Sequence, residues 1–261
     1  MPNLQINPAE KRGTDWNHDE TVLAMDLYSR IPFGQCNKGN KSVQQLAARI
    51  GRSPSSVARK LGNLARFDPA LRARGVSGLA HGSKMDELVW NEAHADWSAF
   101  VVEATKVERQ FDFEPPVIPE PIIGDKPTER TTTVRARIGQ RFFRSAVLGS
   151  YRSECSMCAL DEQRLIVASH IRPWALDEAN RLNPRNGIAL CVLHDAAFDG
   201  RFVTLDENLR WKFLPLLKNR FARKPYDEFF SPYDGIDMRR PDRWLPDPEF
   251  VSSHRQLCLG G

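Results

Sequence analysis

The stretch that decides the fold reads Cys155-Ser156-Met157-Cys158, then Ala168-Ser169-His170-Ile171-Arg172-Pro173-Trp174, then Asn186-Gly187-Ile188-Ala189-Leu190-Cys191-Val192-Leu193-His194-Asp195. It ends at Asp199, so the whole stretch spans 45 residues. A Cys pair, a His, an Asn and a His-Asp pair follow one another in it. Such a cluster of metal-ligating and acid–base side chains indicates a chemical site rather than a packed core.

Short apolar runs in this stretch predict its local structure. Residues 165–168 read Leu-Ile-Val-Ala and favour a strand, because two of the four are β-branched. His170 follows directly, and residues 188–190 predict a second strand after a long polar loop. Residues 194–199 suit a helix that Gly200 ends. The expected order is therefore strand, loop, strand, helix.

His170, Asn186 and the pair His194-Asp195, in this order and in this layout, resemble the core of the HNH (ββα-metal) endonucleases. The segment from Ala168 to Trp174 resembles the subset found in bacterial restriction-type HNH enzymes, and the resemblance covers roughly residues 135–205. It implies that His170 is the general base, and that Asn186 fixes the loop and orients the imidazole by an amide hydrogen bond. It also implies that the final helix supplies a ligand for a catalytic Mg²⁺ or Mn²⁺.

One position departs from that pattern. Many HNH cores have an Asp directly before the first His, whereas this chain has Ser169, which is a poorer metal ligand. The main hypothesis is a metal-dependent endonuclease that hydrolyses DNA, in restriction of foreign DNA. The alternatives are a catalytically silent HNH-fold protein that binds DNA, and a nuclease that acts on RNA or structured DNA.

The cysteines permit two assignments of the metal ligands. Cys155-x₂-Cys158 with Cys191-x₂-His194 has the ligand types and spacing of a structural zinc site. If zinc takes His194, the adjacent Asp195 becomes the ligand of the catalytic cation, and a carboxylate suits Mg²⁺ or Mn²⁺. In the alternative, His194 serves the catalytic site, and the three cysteines are reduced core residues.

The N-terminal third predicts helices. Apolar residues at helical spacing in 43–50, then Gly51, then a second such set in 57–64 with Ser53 as its cap, are typical of a helix-turn-helix. The predicted exposed side of its second helix carries Ser55, Ser56, Arg59, Lys60 and Asn63. With Arg52, the basic residues of this unit are candidates for DNA contacts; the alternative is a plain helical hairpin. Residues 83–104 predict one further helix.

Five prolines between residues 111 and 128 predict an extended linker. We therefore expect an α+β protein with a helical nucleic-acid-binding domain (1–110), a linker (111–134) and an HNH domain (135–261). Residues 126–152 carry seven basic side chains against one acidic one. Such a run predicts a phosphate-contacting surface, and the alternative is a solvated basic face. The further candidate DNA contacts are Arg137, Arg141, Arg144 and Arg172.

The composition of the chain limits the class of protein and the compartment that we expect. The chain has 41% hydrophobic residues and a net charge of +4, which is ordinary for a globular protein. It contains no apolar run of 18 residues, and its start lacks the basic-then-apolar build of a signal peptide. Five cysteines, an odd number, favour a reducing compartment. We expect a cytoplasmic protein with double-stranded DNA as partner, no membrane contact, and either one copy or a homodimer.

Overall fold

The structure, a computed structural model, describes residues 11, 13–76, 82–122, 134–220 and 222–260. Helices dominate the N-terminal part, and small strands with further helices make up the C-terminal part, so the fold is α+β as predicted. The helices are α1 His18–Arg30, α2 Lys41–Ile50, α3 Pro54–Ala65, α4 Pro69–Ala73, α5 Lys84–Ala95, α6 Trp97–Gln110, α7 Val134–Ser150, α8 Val192–Asp199, α9 Pro215–Arg220, α10 Arg223–Phe229 and α11 Pro248–Leu259.

Local capping signals set the ends of the first three helices, and the sequence predicts both the Gly51 end of α2 and the Ser53 cap of α3. Asn17 caps α1 by accepting from the backbone N–H of Glu20, whose carboxylate accepts in return from the N–H of Asn17. Helix α2 ends at Gly51, which adopts φ 69°, a left-handed conformation that glycine reaches without a steric penalty. Ser53 then caps α3, with Pro54 at its first position. The predicted pair of short helices therefore forms.

The single helix predicted for residues 83–104 is wrong. The chain breaks at Asp96, which has an extended backbone with φ −154° and ψ 97°. The Asp96 carboxylate accepts from the backbone N–H groups of Ser98 and Ala99, so it caps α6 instead of continuing α5. A short Asp side chain competes with the helix for backbone donors, and here the cap prevails. Apolar residues continue at helical spacing across the break, so the sequence pattern does not reveal it.

Two small antiparallel hairpins form the strands. Strands β1 (Ile166–His170) and β2 (Gly187–Cys191) pair so that Ile166 lies opposite Cys191, and His170 lies opposite Gly187. Helix α8 follows β2 directly and contacts both strands, which completes the predicted strand, strand, helix order. The second hairpin pairs β3 (Val203–Leu205) with β4 (Trp211–Phe213).

Helix α7 lies between the N-terminal helices and the β1–β2 hairpin, and it contacts both. A side chain at Gly149 would overlap the backbone carbonyl of Arg30 in α1, so only glycine permits this close approach. On the other side of α7, Phe143 and Val147 occupy the space that a side chain at Gly187 of β2 would need. Helix α7 is thus the element through which the helical part holds the hairpin in place.

The C-terminal segment also reaches the N-terminal helices. Arg243 is fully buried and donates to the backbone carbonyls of Tyr28 and Ile31 at the end of α1. Trp244 stacks on Trp90 of α5, with ring centroids 5.6 Å apart. The predicted parts 1–110 and 135–261 are therefore packed against each other. Their division into two domains stays a prediction, because residues 123–133 of the linker lie outside the described residues.

Candidate active site and metal cluster

The cysteine pair and the start of α8 come together in one cluster. One side-chain donor atom from each of Cys155, Cys158, Cys191 and His194 lies within 4.8 Å of all the others. The Sγ atoms of Cys158 and Cys191 are 3.9 Å apart, and Nδ1 of His194 is 3.2 Å from Sγ of Cys191 and 3.6 Å from Sγ of Cys155. A tetrahedral zinc ion would set these S–S and S–N distances at about 3.8 and 3.6 Å. The donor set and its spacing thus fit a bound metal ion.

A tight turn shapes the Cys155 side of the cluster. The N–H of Ala159 donates to the carbonyl of Cys155 at 3.0 Å, and Ala159 adopts φ 63°. Both the N–H and the hydroxyl of Ser156 donate to the carbonyl of Ala189, each at 2.8 Å. These bonds fasten the turn to β2, whose last residue is Cys191. Backbone hydrogen bonds of the turn and of β2 therefore position three of the four donor side chains.

The second ring nitrogen of His194 is also engaged. Its Nε2 lies 3.0 Å from the carbonyl oxygen of Phe229 at the end of α10. A carbonyl only accepts, so Nε2 carries the proton and Nδ1 presents a lone pair toward the thiols. Hydrogen bonds from the thiols of Cys158 and Cys191 hold the pKa of the Cys155 thiol well below its usual range. The cluster therefore favours a thiolate, the form of cysteine that binds metals.

His170, the last residue of β1, is half-buried beside α7. Its ring stacks on Phe143 with centroids 4.0 Å apart and an interplanar angle of 5°, and the ring of Trp174 meets it edge-on. Nε2 of His170 lies 3.0 Å from the carbonyl oxygen of Arg181. Burial lowers the pKa of this imidazole to about 4. His170 is thus a neutral imidazole at pH 7, with its orientation fixed on three sides.

Asn186 is buried at the end of the loop between β1 and β2. Its Oδ1 accepts from the N–H of Arg172 at 2.8 Å, and its Nδ2 donates to the carbonyls of Arg172 and Asn180. Asn186 therefore fixes the loop, as expected. The expected amide bond to the imidazole is replaced, since the Arg181 carbonyl takes that place. Asn186 acts on His170 only through the loop that it closes.

Residues 155–206, which contain this hairpin, α8 and all four cluster side chains, match the model of a family described as HNH endonuclease. This segment is an HNH domain. HNH domains belong to metal-dependent nucleases that act on DNA, so the domain implies nuclease-type activity. The match covers about a fifth of the 261 residues. No curated protein matches the chain.

Two positions that the sequence singles out, Asp195 and Ser169, lie near the cluster. Asp195 is half-buried in the first turn of α8, directly after His194. Ser169 is buried in β1 and lies opposite Ile188. Because adjacent residues of a strand point to opposite faces, Ser169 and His170 lie on different faces of the hairpin. The alternative that gives His194 to the catalytic cation loses support, because both of its ring nitrogens are already engaged.

Three of the candidate DNA contacts are buried, which corrects the sequence analysis. Arg52 pairs with Glu20 at 2.6 Å, and Lys60 pairs with Asp86, so neither side chain lies on an exposed face of the helix pair. Arg144 donates to the backbone carbonyls of the linker and of the segment that enters β1, namely Pro119, Gln163 and Ile166. The sequence pattern around these basic residues did not reveal their internal partners, because the partners lie far away in the sequence.

The other candidates differ in exposure. Arg59, Arg137 and Arg141 are exposed, whereas Arg172 pairs with Asp177 at 2.7 Å and with Glu249 at 2.8 Å. The pair with Glu249 ties the loop after His170 to α11. Lys126 and Arg130 lie outside the described residues, as does the side chain of Arg135.

Sequence reasoning missed the groups that act through their backbone. The carbonyls of Arg181 and Phe229 fix the tautomers of His170 and His194, yet any residue type supplies a carbonyl, so no sequence signal marks them. It also missed a surface group of His18, Glu92 and Glu103, which α1, α5 and α6 bring together. His18 lies 2.8 Å from Glu92 and 3.6 Å from Glu103, an arrangement of exposed ion pairs. Among the described residues, no helix has the length and apolar character to cross a membrane.

Proposed function

We propose that this protein is an endonuclease that hydrolyses phosphodiester bonds of double-stranded DNA, with His170 as the general base. The observation that carries the proposal is the state of the His170 imidazole inside an HNH domain. Because the Arg181 carbonyl accepts from Nε2, Nδ1 keeps an unprotonated lone pair. The lowered pKa keeps that lone pair available at pH 7. A neutral, oriented imidazole suits the removal of a proton from an attacking water molecule.

We assign the catalytic cation, Mg²⁺ or Mn²⁺, to the carboxylate of Asp195. The charge of such an ion supports the charge that develops on the phosphate during hydrolysis. The assignment rests on the engagement of His194 in the cluster, which leaves the next residue of α8 as the ligand-bearing position. Carboxylate oxygen is the ligand type that both ions prefer.

We assign zinc to the cluster of Cys155, Cys158, Cys191 and His194. Three sulfur ligands and one imidazole are the donor set of closed structural zinc sites. The cluster joins the turn at 155–159 to the end of β2 and the start of α8. The role is structural, since a metal ion there would hold together the elements that carry His170 and Asp195.

The exposed basic residues Arg59, Arg137 and Arg141 are the proposed phosphate contacts, with Arg59 as the DNA contact of the predicted helix-turn-helix. We place the activity in restriction of foreign DNA, a role supported by the resemblance of residues 168–174 to restriction-type HNH enzymes.

The test is a plasmid-nicking assay with added Mg²⁺ or Mn²⁺. We expect cleavage by the wild-type protein, and a decrease in rate of about 10²- to 10⁴-fold for His170→Ala. His18→Ala is the matched control, because it removes a partly exposed histidine of another helix, and it should cleave normally. Near-normal cleavage by His170→Ala would reject the assignment of the base. No cleavage by the wild-type protein with either ion would favour the silent DNA-binding alternative that Ser169 raises.

A further inference from the structure

A cleft lies between α6, α7 and the loop that follows β1, and we call it the α6–α7 cleft. Its volume is about 1000 Å³. The loop side includes Trp174 and Arg181, and the α7 side includes Ile138. The helix α6 belongs to the N-terminal part of the chain, outside the segment that matches the HNH family. Two parts of the chain therefore build this cleft together.

The cleft adjoins the catalytic imidazole. Trp174, which lines it, meets the His170 ring edge-on at 5.4 Å, and Arg181, which also lines it, supplies the carbonyl that fixes Nε2 of His170. A ligand in the cleft would therefore be separated from the His170 imidazole by a single side chain.

The floor of the cleft is apolar and includes an aromatic ring. It is formed by Val101, Val102, Ile138, Trp174 and Leu182. Val102 keeps 42% of its surface exposed. The guanidinium of Arg181 lies over the Trp174 ring, 5.0 Å from its centroid. Aromatic rings and arginine guanidinium groups are the surfaces on which unpaired nucleobases stack.

The rim of the cleft is positively charged. Lys106 and Arg109 lie on one face of α6, three residues apart, and both are exposed. Two carboxylates also line the cleft: Asp96 accepts from the backbone N–H groups of Ser98 and Ala99, and Glu178 pairs with Arg181 at 3.3 Å. Among the residues that the structure describes, Lys106 and Arg109 make no ion pair. The two cations can pair with the phosphate of a nucleotide, while the apolar floor contacts its base.

We propose that the α6–α7 cleft receives an unpaired nucleotide of the DNA strand, with its base on the floor and its phosphate at Lys106 and Arg109. This inference rests on the proposed nuclease function and names the substrate feature that the site selects. In a continuous duplex, stacking covers both faces of every base. The cleft therefore favours a bulged or extruded nucleotide over a fully paired duplex.

Binding of two labelled short duplexes to full-length His170→Ala protein tests the proposal. One duplex is fully paired, and the other has the same sequence with one unpaired nucleotide. We expect the unpaired nucleotide to increase affinity about tenfold, the contribution of one stacked base. Lys106→Ala/Arg109→Ala should remove that preference. Lys212→Ala/Lys224→Ala, which removes two exposed charges far from the cleft in sequence, should retain it.

A second variant examines the floor without changing a buried residue. Val102→Glu places a carboxylate in the cleft and should abolish the preference, whereas Leu88→Glu, at a 46% exposed position of α5, should not. Thermal unfolding checks that each variant is folded. Equal affinity of the parent protein for both duplexes would overturn the proposal, even if the wild-type protein nicks plasmid. Conversely, a preference for the unpaired nucleotide without any nicking by the wild-type protein would reject the nuclease function and leave the cleft assignment standing.

Discussion

The two histidines of the HNH domain are held in different ways. His194 lies in the Cys₃His cluster, where side chains at fixed sequence spacing surround Nδ1 and a carbonyl holds Nε2. His170 lies against the loop 171–186, where a carbonyl holds Nε2 and aromatic rings hold the faces of the imidazole. A backbone carbonyl therefore holds Nε2 of each imidazole. The two histidines differ in the groups that surround Nδ1.

This difference is consistent with the proposed roles, a structural metal site at the cluster and a general base at His170. In the cluster, every donor points inward, so a bound ion would have four protein ligands and no open position. At His170, no described thiol or carboxylate hydrogen-bonds to Nδ1, so this nitrogen remains available for proton transfer. A metal site with four protein ligands would stabilise the domain. Acid–base catalysis instead requires a nitrogen lone pair that no protein group occupies.

The largest effect is expected from Cys158→Ala, which removes one ligand of the cluster. Binding of zinc to such sites contributes about 10 kcal/mol or more to folding, so the variant should lose the metal and unfold the HNH domain. Elemental analysis should find one equivalent of zinc in the wild-type protein and none in the variant. Cys258→Ala, outside the cluster, is the control and should keep its zinc. A folded, active Cys158→Ala protein without zinc would return the cysteines to the role of reduced core residues.

A smaller effect is expected from Asn186→Ala, which releases the loop but leaves His170 in place. The variant leaves the N–H and carbonyl of Arg172 without their partner, at a cost of roughly 2–4 kcal/mol of the free energy of unfolding. Because the Arg181 carbonyl moves with the loop, the cleavage rate should decrease tenfold or more while zinc remains bound. Chemical denaturation and the nicking assay measure the two quantities. Asn208→Ala, in the exposed β3–β4 turn, should change neither, and a rate unaffected in Asn186→Ala would separate the loop from catalysis.

The smallest effect is expected from pH. A base with a pKa of about 4 is unprotonated throughout the neutral range, so the cleavage rate should be flat from pH 6 to 8 and decrease only near pH 4. Since the folded pKa lies below the unfolded value of about 6.5, neutral His170 contributes stability that is present above pH 6.5 and lost as the pH falls toward 4. A rate profile with its midpoint near 6.5 would show that His170 is not the base, or that it is solvated.

Local signals in the sequence predicted the strand, strand, helix order and the ligand types of the cluster, but they missed the break between α5 and α6 at Asp96. Cys155-x₂-Cys158 and Cys191-x₂-His194 are recognisable because each pair has the short spacing of metal ligands, and the hydrogen bonds from Ser156 to Ala189 hold the first pair beside the second. Helix ends are local in the same sense, since Asn17, Gly51 and Ser53 act on the backbone within three residues of themselves. The order of strands and helix around His170 likewise followed from short apolar runs.

Only the tertiary structure decided which charges are available and what surrounds His170. Arg52, Lys60 and Arg144 have the residue type and position of DNA contacts, but they are neutralised or bonded by groups 19 to 38 residues away along the chain. The partner of His170 is a carbonyl, which no residue type reveals, and the α6–α7 cleft exists because α7 brings α6 to the loop. The spacing of residues along the chain indicates interactions between sequence neighbours. Burial and ion pairing depend on contacts between distant segments, and those contacts form only when the chain folds.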